Sequence, residues 1–129
     1  MCLPFAPEVR AVMFGPDGIH NARRNELTIV DSTTLDRTDA IAICKEAEEV
    51  GITYWDCPIS GMPFRAHDGT LTMMFGGSAE GFAFAKPYLD DMGEHIIHAG
   101  PVGCGQAMKA LNNIVYNINI AAISEVIPL

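Results

Sequence analysis

The chain has 129 residues, with Lys+Arg 8 against Asp+Glu 16, for a net charge of −8. Apolar residues make up 49% and charged residues 19%, enough apolar side chain for a core and too little charge for a chain that stays solvated. So acidic a chain has no long-range attraction for nucleic acid or an anionic membrane, and no apolar run reaches the roughly 18–20 residues of a bilayer span. The opening Met1-Cys2-Leu3-Pro4 lacks the basic-then-apolar order of a signal peptide, so none is expected.

In chain order, helical and extended patterns alternate. Val9, Val12, Met13 and Phe14 recur at helical spacing within residues 5–14, and Gly15-Pro16-Asp17-Gly18 reads as a turn. Residues 26–31 form a short β-branched strand, followed by Ser32-Thr33-Thr34. Asp36 is placed to cap a helix over 37–50, where Ala40, Ile41, Cys44, Ala47 and Val50 share a face and Gly51 closes the end. Residues 52–57 are the next strand, which Pro58-Ile59-Ser60-Gly61 leaves as a loop. Residues 70–75 are a further strand, ended by Gly76-Gly77. A helix over 78–92 stops at Gly93, 94–98 form a last short strand, and the glycine cluster at 100–105 leads into a long helix. The alternation predicts an α/β fold: a mostly parallel sheet with flanking helices, ending in that long helix.

Ligands of such sheets lie beyond the carboxyl ends of the strands. Three polar segments are expected there: Ser32-Thr33-Thr34, Pro58-Ile59-Ser60-Gly61 and the glycines at 100–105. Each taken alone is also ordinary turn chemistry. The last helix carries Met108, Leu111, Ile114, Val115, Ile118, Ile120, Ile123 and Val126 almost all round it. That is the pattern of a buried helix, covered by a second copy of the chain or by a further domain.

Cys2, Cys44, Cys57 and Cys104 form no CxxC pair and fit no zinc spacing, so they read as reduced thiols, mostly in the core. His95 and His98 are three apart, but on a strand their rings face opposite sides. No metal site is expected.

Lys109, Asn113 and Asn117 follow one another at i, i+4, i+8 on one face of the last helix. Near a helix start, with Gly103 and Gly105 permitting close approach, Lys109 would sit in a donor-rich site suited to a carboxylate that bears a neighbouring hydroxyl or carbonyl. Partial desolvation there lowers a lysine pKa and helps proton exchange near neutral pH. An exposed lysine with two asparagines on a solvated face would show the same spacing. Ser60 and Gly61 offer a hydroxyl and N–H groups to the far side of the same carboxylate, or are a plain turn. There is no GxGxxG after a first strand and no GxxxxGK followed by Ser or Thr.

Five segments together resemble one family. Asp56-Cys57-Pro58-Ile59-Ser60-Gly61 resembles the D-x-P-V/I-S-G-G motif of the β-hydroxyacid dehydrogenases, the 3-hydroxyisobutyrate dehydrogenase family. The stretch from Gly69-Thr70-Leu71-Thr72 through Met74 to Gly76-Gly77 resembles its G-T-L-T-x-M-x-G-G strand. Gly100 to Asn113, with Gly103, Gly105, Lys109 and Asn113 in place, is similar to its G-x-x-G-x-G-x-x-x-K-x-x-x-N signature. Asp31-Ser32-Thr33-Thr34 resembles its D-x-S-T element, and Leu3-Pro4 the pair that ends its fourth strand.

The resemblance implies a partial Rossmann-type fold and an NAD(P)-dependent oxidoreductase acting on a small β-hydroxy acid. It implies Lys109 as general acid/base, Asn113 orienting the hydroxyl, Ser60 and Gly61 holding the carboxylate, and Leu3, Pro4, Thr33 and Thr34 touching NAD or NADP. Residues 1–99 would then be the second half of the nucleotide-binding domain and 100–129 the start of an interdomain helix, in a cytoplasmic or mitochondrial-matrix protein that associates through that helix. Met62 departs from the pattern, standing where the family has a second glycine. The glycine-rich nucleotide loop and the helical domain of the family have no counterpart in the chain, so weak or no NAD(P) binding and no turnover are expected of these residues alone. The competing expectation is a non-catalytic α/β module that associates through its apolar last helix.

Overall fold

Local signals place most of the elements. The computed structural model describes residues 1–22 and 27–127. Glu26 of the expected first strand, and Pro128 and Leu129 of the expected last helix, lie outside the described residues. Helix α1 (Ala6–Phe14) has Pro7 in its first turn, where no N–H is needed, and buries Ala6, Val9 and Met13. Strand β1 (Thr28–Asp31) leads to α2 (Arg37–Glu49), whose N-cap Asp36 accepts the Thr38 N–H at 3.0 Å, as its position predicts. Then come β2 (Thr53–Asp56), β3 (Ile59–Ser60), α3 (Met62–His67) and β4 (Leu71–Gly76). Helix α4 (Ala79–Leu89) is capped by Ser78, whose Oγ accepts the Gly81 N–H at 2.9 Å. Strand β5 (Gly93–Gly100) and α5 (Cys104–Val126) complete the chain.

The sheet is mostly parallel, with one reversal. β1 pairs with β2 in parallel, and β4 with β5 in parallel. β4 runs antiparallel to the line formed by β2 and β3, through Asp56 opposite Gly76, Ile59 opposite Met73 and Ser60 opposite Thr72. These pairs share one register, and the Met74 N–H donates to the Pro58 carbonyl within it. β2 and β3 are therefore two stretches of one line. Residues 58–61 are not only a loop, as expected from their turn-like composition. Ile59 and Ser60 pair with β4, and Gly61 opens α3.

Alternation along the strands divides the core between the two faces. Tyr54 joins Val9, Met13, Ile43 and Ala47 under α1 and α2. Cys57, Met73, Phe75, Ala85 and Leu89 pack on the α4 side, with Trp55 and Phe82 against them. Of the cysteines only Cys57 is buried, so the expectation of mostly core thiols holds for that residue alone. His98 Nε2 lies 2.9 Å from the Gly77 carbonyl and its ring stacks on Phe82 at 5.0 Å, while His95 is exposed on the other side.

Candidate active site

The site begins with an acid. Asp56 ends β2 fully buried, and its carboxylate accepts the Gly103 N–H at 2.7 Å and the Gln106 N–H at 2.9 Å. Burial pushes its carboxyl above the usual range, and the two N–H bonds pull it back toward the ionised form. The expectation that the start of the last helix, with its glycines, would receive a ligand is thus corrected: the chain's own Asp56 takes those donors. Gly105 is small for packing. A Cβ there would collide with the Met74 carbonyl and crowd the Asp56 carboxylate. At Gly103 the backbone takes φ 88°, a conformation that glycine adopts freely.

From this anchor α5 turns back along β4 toward Ser60. Four strand residues separate Asp56 from Ser60, about 13 Å at strand rise. Seven helical residues separate Gln106 from Asn113, about 10 Å at helical rise. The two advance together, so Lys109 and Asn113 arrive beside the end of β3. Ser60, Gly61, Lys109, Asn112, Asn113 and Tyr116 line one cavity of about 530 Å³, closed on its far side by α3. Lys109 is half-buried, and desolvation lowers its pKa from the ordinary lysine value, the direction expected from the sequence. Asn113 and Ser60 are also half-buried. Asn117, the third member of the expected stripe, is exposed and lies outside the cavity wall.

A second feature adjoins the first. Beyond β1, Leu3 is half-buried and Pro4 and Thr34 are exposed, forming a ledge at the carboxyl end of that strand. Thr33 is 0% exposed, and its Oγ1 accepts the Leu3 N–H at 2.9 Å. The Thr33 side chain thus holds the Leu3-Pro4 segment in place, and the residue expected to touch a cofactor faces inward. Gln106 joins ledge and cavity. Its Oε1 accepts the Leu35 N–H at 3.0 Å and its Nε2 donates to the Thr33 carbonyl at 2.7 Å, one helical turn before Lys109. No motif or spacing in the sequence marks Gln106 for this role. Its one signal is a long amide between glycine and alanine at a helix start.

Gly61 has φ 145° and Met62 φ 64°. The chain thus keeps a left-handed turn at the family's second-glycine position with a methionine in it, and the Met62 side chain points outward, 69% exposed.

Residues 1–100 match the family model described as the NAD binding domain of 6-phosphogluconate dehydrogenase. A probable mitochondrial 3-hydroxyisobutyrate dehydrogenase of Dictyostelium discoideum is 41% identical over 127 residues, covering 98% of this chain and 40% of that protein. The 2-(hydroxymethyl)glutarate dehydrogenase of Eubacterium barkeri is 38% identical over 127 residues, covering 98% of this chain and 42% of that protein. Among solved structures, the Mycobacterium tuberculosis 3-hydroxyisobutyrate dehydrogenase with L-serine superposes with a TM-score of 0.89 at 36% identity, over 96% of this chain and 42% of that one. The Rossmann-type fold expected from the sequence is borne out by that superposition. The chain spans about 40% of the length of these curated relatives.

Proposed function

This chain belongs to the family of NAD-binding domains of 6-phosphogluconate dehydrogenase, and on that premise we propose that it forms part of an NAD(P)-dependent oxidoreductase of small β-hydroxy acids. The observation that carries the reading is the convergence of Lys109 and Asn113 from α5 and Ser60 from β3 on one cavity, with the start of α5 held at the end of β2 by Asp56.

The Ser60 hydroxyl and the Gly61 N–H take the substrate carboxylate. The Asn113 amide orients the hydroxyl. Lys109, whose desolvation favours the neutral amine, removes the hydroxyl proton in oxidation and returns it in reduction. A nicotinamide dinucleotide, when bound, supplies or accepts the hydride. The ledge of Leu3, Pro4 and Thr34 fits one face of such a group, an apolar shelf beside a hydroxyl at the end of a parallel strand. In domain terms, residues 1–99 serve the nucleotide and 100–129 begin a helix that links to the rest of the enzyme.

In the full-length enzyme, Lys109→Ala lowers kcat by on the order of 10²–10⁴ and leaves cofactor KM nearly unchanged. Steady-state kinetics with both substrates varied checks this, and activity that survives the change removes Lys109 from the role.

The names of the relatives span 3-hydroxyisobutyrate and 2-(hydroxymethyl)glutarate, which supports a hydroxy acid of this class. The reading carries a compartment that keeps thiols reduced, cytoplasm or mitochondrial matrix, in line with the unpaired Cys2, Cys44, Cys57 and Cys104. Among the described residues no helix is long and apolar enough to cross a membrane. One observation favours a second role alongside the first. Leu111, Ile114, Val115, Ile118 and Ile123 are exposed along α5, which supports association of copies through that helix.

A further inference from the structure

The cavity beside Lys109 holds a second cation that the proton-transfer chemistry does not use. Arg65, on α3, lines the same wall as Ser60, Lys109 and Asn113. Its stem lies over Gly61, where a Cβ would come within 2.8 Å of the Arg65 Cβ and 2.9 Å of its Cδ. One guanidinium N–H donates to the Thr70 carbonyl at 3.3 Å, a long bond for a group with five donors. Among the described residues no carboxylate pairs with Arg65. By contrast, Arg10 is held by Asp39 and Glu46, and Lys86 by Asp90. Among the described residues no aspartate or glutamate lines the cavity, in a chain whose net charge is −8. An acidic chain that keeps one hollow free of acids and furnishes it with two cations has made a local site for negative charge.

Two cations exceed what one carboxylate requires. Ser60 and Gly61 already face the carboxylate end, and Lys109 must change its protonation during the reaction, so it is a poor permanent counter-ion. Arginine stays charged at every working pH and presents a planar fork that matches carboxylate or phosphate oxygens. The cavity volume of about 530 Å³ lies inside the range of roughly 300–1,000 Å³ that accommodates ligands larger than a four-carbon acid.

Resting on the hydroxy-acid reading of this cavity, we propose that Arg65 selects substrates bearing a second anionic group, so that the preferred substrate is a hydroxy dianion rather than a simple hydroxy monocarboxylate. A second carboxylate or a phosphonate or phosphate group would serve the same contact, since each offers two oxygens to the fork.

Calorimetric titration of the full-length protein with 3-hydroxyisobutyrate and with 2-(hydroxymethyl)glutarate, in the wild type, Arg65→Gln and Arg65→Lys, tests this. Arg65→Gln keeps most of the stem over Gly61 and removes the charge, and circular dichroism checks that it folds. The expected result is tighter binding of the dianion by the wild type, about tenfold loss of dianion affinity in Arg65→Gln, little change for the monoanion, and partial recovery in Arg65→Lys. Equal wild-type affinities, a dianion preference that persists in Arg65→Gln, or equal losses for both acids would overturn the role of Arg65 and leave the hydroxy-acid reading standing. Binding of neither acid by the folded wild type would remove that reading itself, and this inference with it. The same titration with a phosphonate analogue tells which second anion fits better.

Discussion

Gln106 uses both ends of its side-chain amide inside the protein, on the Leu35 N–H and the Thr33 carbonyl. Gln106→Leu would leave both groups without a partner, at a cost of about 1–3 kcal/mol of unfolding free energy, read from urea denaturation. Because the same residue sets where α5 starts relative to the ledge, full-length activity should fall by more than the stability loss explains. Met62 is a different case. An L-residue at φ 64° carries strain that glycine does not. Met62→Gly relieves that strain and loses some unfolded-state restriction, for a net gain on the order of 0.5–1 kcal/mol by thermal unfolding. The Lys109 amine carries a pH signature. Its folded pKa lies below the ordinary lysine value because it is desolvated, so the unfolded chain binds more protons in the window between the two. Its neutral form therefore appears at lower pH than at an ordinary lysine. Reductive methylation followed across pH by mass spectrometry should show Lys109 becoming reactive from a lower pH in the folded protein than in the urea-unfolded chain, and an onset at higher pH in the folded protein would contradict the desolvation.

The elements owe their relative placement to Asp56. Asp56→Asn leaves one acceptor where two backbone donors point, and turns an NH₂ toward the other N–H. It should destabilise by about 1–3 kcal/mol and lower activity in the full-length enzyme by loosening α5. Gly105→Ala would drive a methyl group into the Met74 carbonyl and the Asp56 carboxylate, with no flexible side chain to give way. Loss of at least that size is expected, with α5 displaced. At this scale it is clear what the residue pattern revealed. The cap Asp36, the opening of a helix at residue 78, the spacing of Val9 and Met13 on α1 and the alternation of helix and strand are local, so they are legible in the residue pattern. Lys109, Asn113, Ser60 and Gly61 were legible through their motifs, and the structure brings them to one cavity. The reversal of β4, the pairing of Ile59 and Ser60 and the capture of the α5 start by Asp56 are long-range facts that no window of sequence records. Helix α3 escaped notice because Met62-Pro63-Phe64-Arg65-Ala66-His67 has no apolar period, although Pro63 marked a first turn.

Taken whole, the chain divides into a tightly packed sheet with its helices and a rod that emerges from it. Within α5 only Gly105 and Gln106 are buried, while Ile114, Ile118 and Ile123 stand in solvent. Sedimentation of this chain should show concentration-dependent association, which Ile114→Lys with Ile118→Lys reduces without lowering the melting temperature, since neither side chain enters the core. A monomer at all concentrations would count against α5 as the contact surface. The paired advance of strand and rod has a last consequence, for lengths rather than side chains. One residue added between Gln106 and Lys109 would swing the amine by about 100° around the axis while lifting it only about 1.5 Å. One residue added between Asp56 and Ser60 would flip the serine to the opposite side of its ribbon. The site therefore works as a vernier with two unequal scales. It should tolerate many replacements along either scale and almost no insertion or deletion in the short intervals that set them against each other.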